Sequence, residues 1–517
     1  MSKDKEKNKK STGRKELFGS SSKTDFIVNM TAEGAQKMCG IYSIMAVVVV
    51  MLMAIPYYFT QKVVDYTNPD DGSKHFLADS FIYYTALAVV VAGCLGFLIF
   101  LIAYTKKQVS IKNNKTLLCC LAVILLSAVS AFSAADVNTA IFGYKNRYEG
   151  LLTILGYWGF FSVGMCITAE KRRRNLIDFL VGVGAFQAVV GILQKIPATA
   201  KLLNNPFDYV QIKPGTSETA LGEGQEFLAD AVLPGIYVHD RAVTGFLFTP
   251  FAFAAAMSVL FTVAAAGFVF EKSNGKKAYY GVSALLMACA SMLTNVLAGV
   301  IGIGTGAAAV LAIALLKSFG KDSKSKSPLI FTLSLICVSG VAAGIFFGTG
   351  TAKFRDERIM FTDSYIRTDI SNYYNRLDKS MWIYEEIWDD GMYAAQQSPF
   401  SGAGPDNWDT IYTYGSLQDR SYNEYVDVAS YRGFPCAAFY IMFVLITLWK
   451  MYQIIKRFVK NKESWIAAAA CAGGFAYFVQ AFFNSSSVTS AVFMWLIVGL
   501  VWSSHAKSKT ADEPQQL

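Results

Sequence analysis

Apolar stretches of roughly 18–25 residues, each long enough to cross a bilayer as a helix, recur from residue 39 to residue 504. They fall near 39–60, 80–104, 116–135, 150–169, 175–194, 245–270, 279–296, 298–316, 328–349, 434–449, 464–483 and 488–504. A backbone in hydrocarbon must satisfy its polar groups within its own segment, so such runs fold as helices. The expected fold is an all-α integral membrane protein with about 12 transmembrane helices. Only 16% of the 517 residues are charged, against about 25% in soluble globular chains.

The polar segments between the runs set an expected orientation. With the N-terminus inside and one crossing per run, the inside loops carry Lys106/Lys107, Lys171/Arg172/Arg173/Arg174, Lys272/Lys276/Lys277, Lys317/Lys321 and Lys456/Arg457/Lys460/Lys462. Basic loops belong on the cytoplasmic side. An outside loop such as the one holding Asp65, Asp70, Asp71 and Asp79 is acidic. Both termini are therefore expected in the cytoplasm. Residues 1–37 form a lysine-rich tail without the apolar core or cleavage site of a signal peptide. Residues 38–349 hold about nine helices and an external loop, 195–244. Residues 350–433 form a large external loop, 434–505 the last three helices, and 506–517 a second tail. Both loops far exceed the length of a connector, about 15 residues. The net charge of +9 sits in short clusters between apolar runs, which argues against a nucleic-acid partner. Nine cysteines without a CxxC pair, and three histidines, offer no metal-site spacing; no metal or cofactor is expected.

Three polar constellations stand beside the membrane. In Phe142-Gly143-Tyr144-Lys145-Asn146-Arg147-Tyr148-Glu149-Gly150 two cations, an acid and aromatics crowd one turn. Lys145 and Arg147 can hold an anionic headgroup or diphosphate; the alternative is interfacial anchoring by aromatics and snorkelling cations. His239-Asp240-Arg241 closes the first long loop. Arg241 there is either a phosphate clamp or the partner of Asp240. The large loop holds Arg376, Trp382, Trp388 and the run Pro399-Phe400-Ser401-Gly402-Ala403-Gly404-Pro405-Asp406-Asn407-Trp408. Gly402 and Gly404 permit a tight turn, and Pro405-Asp406-Asn407 is turn chemistry. Beyond it, Asp419, Asn423 and Asp427 share one face if the segment is helical, as do Arg420 and Glu424. The alternative is a solvated amphipathic helix capped by Gly433.

In this order, the segments resemble the O-antigen ligase and O-antigen polymerase-like family of membrane glycosyltransferases over most of residues 140–505. FGYKNRYEGLLTILGYW is similar to the family's FG-x-x-x-R-x-EG-LLT pattern. Gln187 through Gly191-Ile192-Leu193-Gln194 resembles its GILQ helix end, and RAVTGFLFTPFAFAA its R-x-x-GT segment. SPFSGAGPDNW resembles P-L-x-G-x-GPDNF, and DRSYNEYVDVASYRGFP resembles D-x-x-HNEYL followed by GI-P. The last two apolar runs look like the family's C-terminal signature. The family histidine falls on Tyr422, and its seventh-span arginine on Asn295.

The resemblance implies a GT-C-like bundle in the cytoplasmic membrane of a bacterium, with the large loop outside. It implies metal-independent transfer or polymerisation of glycan from an undecaprenyl-diphosphate-linked donor to a glycan, lipid or protein acceptor. On that reading Lys145, Arg147, Arg241 and Arg376 bind the diphosphate. Asp419, Tyr422, Asn423 and Glu424 align or deprotonate the acceptor, and Trp382, Trp388 and Trp408 stack on sugar. A second expectation is a non-catalytic relative acting as scaffold or glycan-binding partner. A third, a lipid or glycan transporter, is disfavoured because the middles of the runs are almost free of charge.

Overall fold

The computed structural model describes residues 31–53, 65–67, 74–76, 79–105, 114–144, 147–196, 243–247, 249–294, 296–319, 330, 333, 388–407 and 420–503. The helices are α1 (Ala32–Leu52), α2 (Asp79–Thr105), α3 (Asn114–Ser133), α4 (Val137–Phe142), α5 (Leu151–Cys166), α6 (Glu170–Lys195), α7 (Pro250–Phe270), α8 (Asn274–Leu293), α9 (Leu297–Phe319), α10 (Glu424–Val459), α11 (Trp465–Gln480) and α12 (Ala491–Ser503). Residues 388–397 are also helical. Two short antiparallel strands, Asp65–Thr67 and Lys74–Phe76, join α1 to α2. Every expected apolar run overlaps one of these helices except 328–349, which lies outside the described residues apart from two positions.

Seven of these helices are long and apolar enough to cross a membrane, and α5, α11 and α12 are shorter apolar helices. The outward faces agree. On α2, Leu87, Val91, Leu95, Leu98 and Leu101 form an exposed stripe, and on α3 so do Leu118, Leu121, Leu125, Val129 and Phe132. Such stripes are unfavourable in water and natural against lipid. The chain is an α-helical membrane protein.

Helix starts follow from local sequence. Thr249 accepts a hydrogen bond from the Ala252 N–H at the head of α7, with Pro250 in the first turn, where its missing N–H costs nothing. Asp136 caps α4 through the Asn138 and Thr139 N–H groups. The apolar window of α7 is 89% buried, making it the central post, packed by α6, α8, α9 and α11. On the other flank α2 meets α5 through Gly93 and Gly96 facing Gly156 and Gly159; a Cβ on Gly93 would lie 2.2 Å from the Gly156 Cα. Small residues let membrane helices approach closely and gain dispersion contacts. That pairing carries the start of α5, and with it Arg147 and Glu149, to one end of the bundle.

α10 is broken at Gly433, whose φ of 79° and ψ of 163° lie outside helical space. Pro435 follows at once, so its absent N–H falls in the first turn of a new helical segment. The 399–407 turn fills the break. The Phe434 N–H donates to the Pro399 carbonyl (2.8 Å), and the Ala403 and Gly404 N–H groups donate to the carbonyls of Ser430 and Tyr431.

Candidate functional site

The segments singled out in the sequence meet at this end. Gln194 accepts hydrogen bonds from the Thr244 and Gly245 N–H groups, both at 2.9 Å, and Gln187 accepts from the Phe246 N–H at 2.8 Å. The Thr489 hydroxyl donates to the Leu247 carbonyl (2.7 Å), and the Asn484 amide donates to that of Phe251 (3.1 Å). The Glu424 N–H reaches the Ala481 carbonyl at 2.9 Å. Four stretches spread over some 300 residues of chain are thereby tied together by hydrogen bonds to backbone groups.

Inside this frame lies a buried charge network. Arg147 is 4% exposed. Its Nε stands 2.7 Å from an Asp406 carboxylate oxygen, and its Nη2 donates to the Asp406 carbonyl at 3.1 Å. The other Asp406 oxygen accepts from the N–H groups of Tyr144 (2.7 Å) and Glu149 (3.1 Å). Glu149 takes a hydrogen bond from the Tyr157 hydroxyl (2.9 Å) and pairs with Arg420 (3.1 Å), whose Nη1 also donates to the Ser486 carbonyl. Asp427 accepts from the Ser421 N–H and hydroxyl and from the Ser485 hydroxyl. Glu424 accepts from the hydroxyls of Tyr440 and Tyr477.

These groups wall a cavity bounded by Glu149, Asp406, Glu424, Asp427, Arg432 and Ser486, with Trp158 and Trp495 at its apolar floor. Enclosure pushes the Glu149 carboxyl up to about 8, against the pull of Arg420, with Asp406 adding to the rise. Burial likewise lifts Asp406 above the usual carboxylate range, opposed by Arg147 and Arg420. Loss of hydration disfavours the charged form in both. Two of the four non-glycine residues with positive φ among the described residues, Asp406 and Tyr148 (between Arg147 and Glu149), belong to this network. Such backbone costs free energy and persists where the surroundings over-determine it.

The expected site residues fare differently. Arg147, Glu424, Gly402 and Gly404 are at the site, but Arg147 is held by Asp406. The Asn423 carboxamide caps α10 by accepting from the Tyr425 and Val426 N–H groups. Tyr422 packs its ring on Phe251 at 5.2 Å, and Trp388 joins the same apolar cluster against Phe483. The helix expected to include 419–423 begins instead at Glu424, because Asn423 adopts extended dihedrals as its cap. Arg420 therefore reaches Glu149 rather than Glu424. Lys145, Arg241, Arg376, Trp382, Trp408 and Asp419 lie outside the described residues.

From sequence, no role in the chemistry is expected of Glu149, Asp406 or Arg432, and Arg420 enters only as the helical partner of Glu424. Asp406 reads as turn chemistry, and its partner is 259 positions away. Arg432 lies at i+8 from Glu424 on the same helix, lines the cavity, and has a buried Nε without a hydrogen-bond partner. A cation one residue before a Gly-Phe-Pro break at the start of an apolar run was its available signal. Neither a protein-family model nor a curated protein matches this chain.

Proposed function

We propose that this chain is a membrane glycosyltransferase of about twelve spans, with both termini in the cytoplasm of a bacterium. It transfers or polymerises glycan from an undecaprenyl-diphosphate-linked donor at the outer face of the cytoplasmic membrane. The observation that supports this reading is the convergence of the FGYKNRYEG, SGAGPDN and RSYNEYVD segments on one cavity that offers carboxylates beside a guanidinium.

The chemistry needs little more than that. An acceptor hydroxyl oxygen bonds to the anomeric carbon while the carbon–oxygen bond to the diphosphate breaks. The electron pair leaves on the diphosphate, and the hydroxyl proton passes to a carboxylate. Guanidinium groups suit the leaving anion because their forked donors match phosphate oxygens; Arg432 takes that part, with Arg241 and Arg376. Glu149 takes the proton. It is 16% exposed, and its carboxyl is pushed up to about 8, so the fraction ionised near neutral pH is the base that accepts the hydroxyl proton. A phenol, with a reference pKa of about 10, is a poor base at neutral pH, so Tyr422 is assigned to orienting the acceptor.

The test replaces the gene in its host with wild type, Glu149→Gln, Arg432→Gln, or the Arg241→Ala/Arg376→Ala double variant, and reads surface-glycan length by gel. Deletion is expected to abolish long glycan and wild type to restore it. Glu149→Gln is expected to reduce transfer by about 10²–10⁴-fold while inserting stably. Full restoration by every variant would move the reading to a scaffold. One observation favours that second reading: Arg147 and Asn423, which match family motif positions, spend their donors and acceptors on Asp406 and the α10 cap.

A further inference from the structure

The bundle end opposite the cavity holds a second buried cation. Arg173, in the first turn of α6, is 3% exposed. Its Nε and Nη1 have no hydrogen-bond partner, and among the described residues it forms no ion pair. Its neighbour Arg174 shows the contrast, pairing with Glu271 and lying over the Trp465 ring. The principal carboxylate acting on Arg173 is Glu463. Glu463 already pairs with Arg457 at 3.8 Å and also acts on Lys450. Lys450 is 8% exposed, with its ammonium 4.7 Å from the centre of the Trp502 ring. Glu170 also lies within reach of Arg173, but neither carboxylate is hydrogen-bonded to it, and Arg174 over the ring of Trp465, the first residue of α11, sets the head of α6 beside the head of α11.

Beside Glu463 begins α11. Its N-cap residue, Ser464, makes no side-chain cap bond, and its buried Oγ has no partner. The first-turn N–H groups of a helix lack intrahelical acceptors and favour an anion. Near Lys450 on α10, Trp449 and Tyr452 are exposed with ring centres 5.4 Å apart, the composition of a lipid–water boundary. A buried guanidinium lacking a counter-ion is strongly unfavourable, and basic pockets between membrane helices accept phosphate-bearing headgroups.

We propose that Arg173, Lys450 and the N-terminus of α11 together hold a phosphate group carried by the headgroup of an anionic phospholipid. The bound phosphate gives Arg173 its missing acceptors and fastens α6, α10 and α11 at this end. The site is independent of glycan transfer, since it shares no residue with the cavity.

The full chain is purified into phosphatidylcholine nanodiscs, with or without phosphatidylglycerol, and retained lipid is measured by native mass spectrometry alongside the melting temperature. Wild type is expected to raise its melting temperature with phosphatidylglycerol and to retain it about tenfold over phosphatidylcholine. Arg173→Gln loses both effects, whereas Lys460→Gln, at an exposed lysine of the same end, keeps them. Unchanged retention in Arg173→Gln overturns the site. Should Arg173→Gln fail to insert, Lys450→Met is read in the same assay, and unchanged retention there overturns it equally. Inorganic phosphate added to pure phosphatidylcholine discs is the last arm. Equal stabilisation by that ion, lost in Arg173→Gln, overturns the lipid source in favour of free phosphate.

Discussion

Glu149 joins the two halves of the charge network: its N–H donates to Asp406 and its carboxylate pairs with Arg420. Its position sets an expectation for stability. The folded carboxyl is pushed up to about 8, while an unfolded chain returns it to about 4.3. Between those values the folded state binds more protons, so raising the pH favours unfolding. The contribution is whole below about pH 4.3, declines as pH rises, and is gone above the folded value. Glu149→Gln keeps the neutral amide at every pH. Melting temperature in detergent is therefore expected to fall for wild type from pH 5 to pH 8 and to fall less for Glu149→Gln. Parallel curves for the two proteins would show that Glu149 ionises in the folded state as freely as in the unfolded one. The neighbouring Arg147–Asp406 pair supplies the rigid reference for this carboxyl, since removing one member of such a buried pair costs about 3–5 kcal/mol.

Among the elements, α10 shows how a turn and a helix break depend on each other. Gly433 takes φ 79° and ψ 163°, a region essentially confined to glycine. A Cβ there would lie 2.4 Å from the Phe400 carbonyl oxygen, and one on Gly402 would lie 2.3 Å from the Tyr431 carbonyl carbon. Gly433→Ala is expected to destabilise the protein by about 1–3 kcal/mol and to expel the 399–407 turn, which also carries Asp406. Measured in detergent, a lower melting temperature together with faster proteolysis near Phe400 would meet that expectation; an unchanged protein would mean the break tolerates a side chain. The break was legible in Gly433-Phe434-Pro435, and the long helices were legible because an apolar run leaves the backbone no other solution in lipid. The helix start was less so. A helical face through Asp419, Asn423 and Asp427 competes with Asn423 as cap, and capping wins because it satisfies two N–H groups at once. The pairings Arg147–Asp406 and Glu149–Arg420 span 259 and 271 positions, and no local periodicity carries such information. Motif order pointed to the neighbourhood, whereas the partners within it follow from packing.

At the scale of the whole molecule the two ends of the bundle differ in chemistry. One end gathers the carboxylates, Arg147, Arg420 and Arg432 around a cavity. The other carries Arg172, Arg173, Arg174, Lys317, Lys450 and Arg457 on α6, α9 and the second half of α10. Residues 434–459 of α10 rise about 39 Å as a helix, enough to separate the ends by a hydrocarbon core of about 30 Å. The 399–407 turn is seated at the start of that segment and Lys460 at its end, so these two places report opposite sides of the membrane. Phe400 is 81% exposed, and Lys460 is exposed as well. In a cysteine-free background, Phe400→Cys is expected to react with a membrane-impermeant maleimide in intact cells, and Lys460→Cys only after permeabilisation. That outcome places the cavity on the side where a lipid-linked glycan is presented for transfer and the basic end against the anionic inner leaflet. The reverse pattern would turn the cavity toward the cytoplasm and remove the proposed donor from its reach. It would also take the headgroup site away from the leaflet richest in anionic lipid, so both proposals depend on the orientation that these two cysteines report.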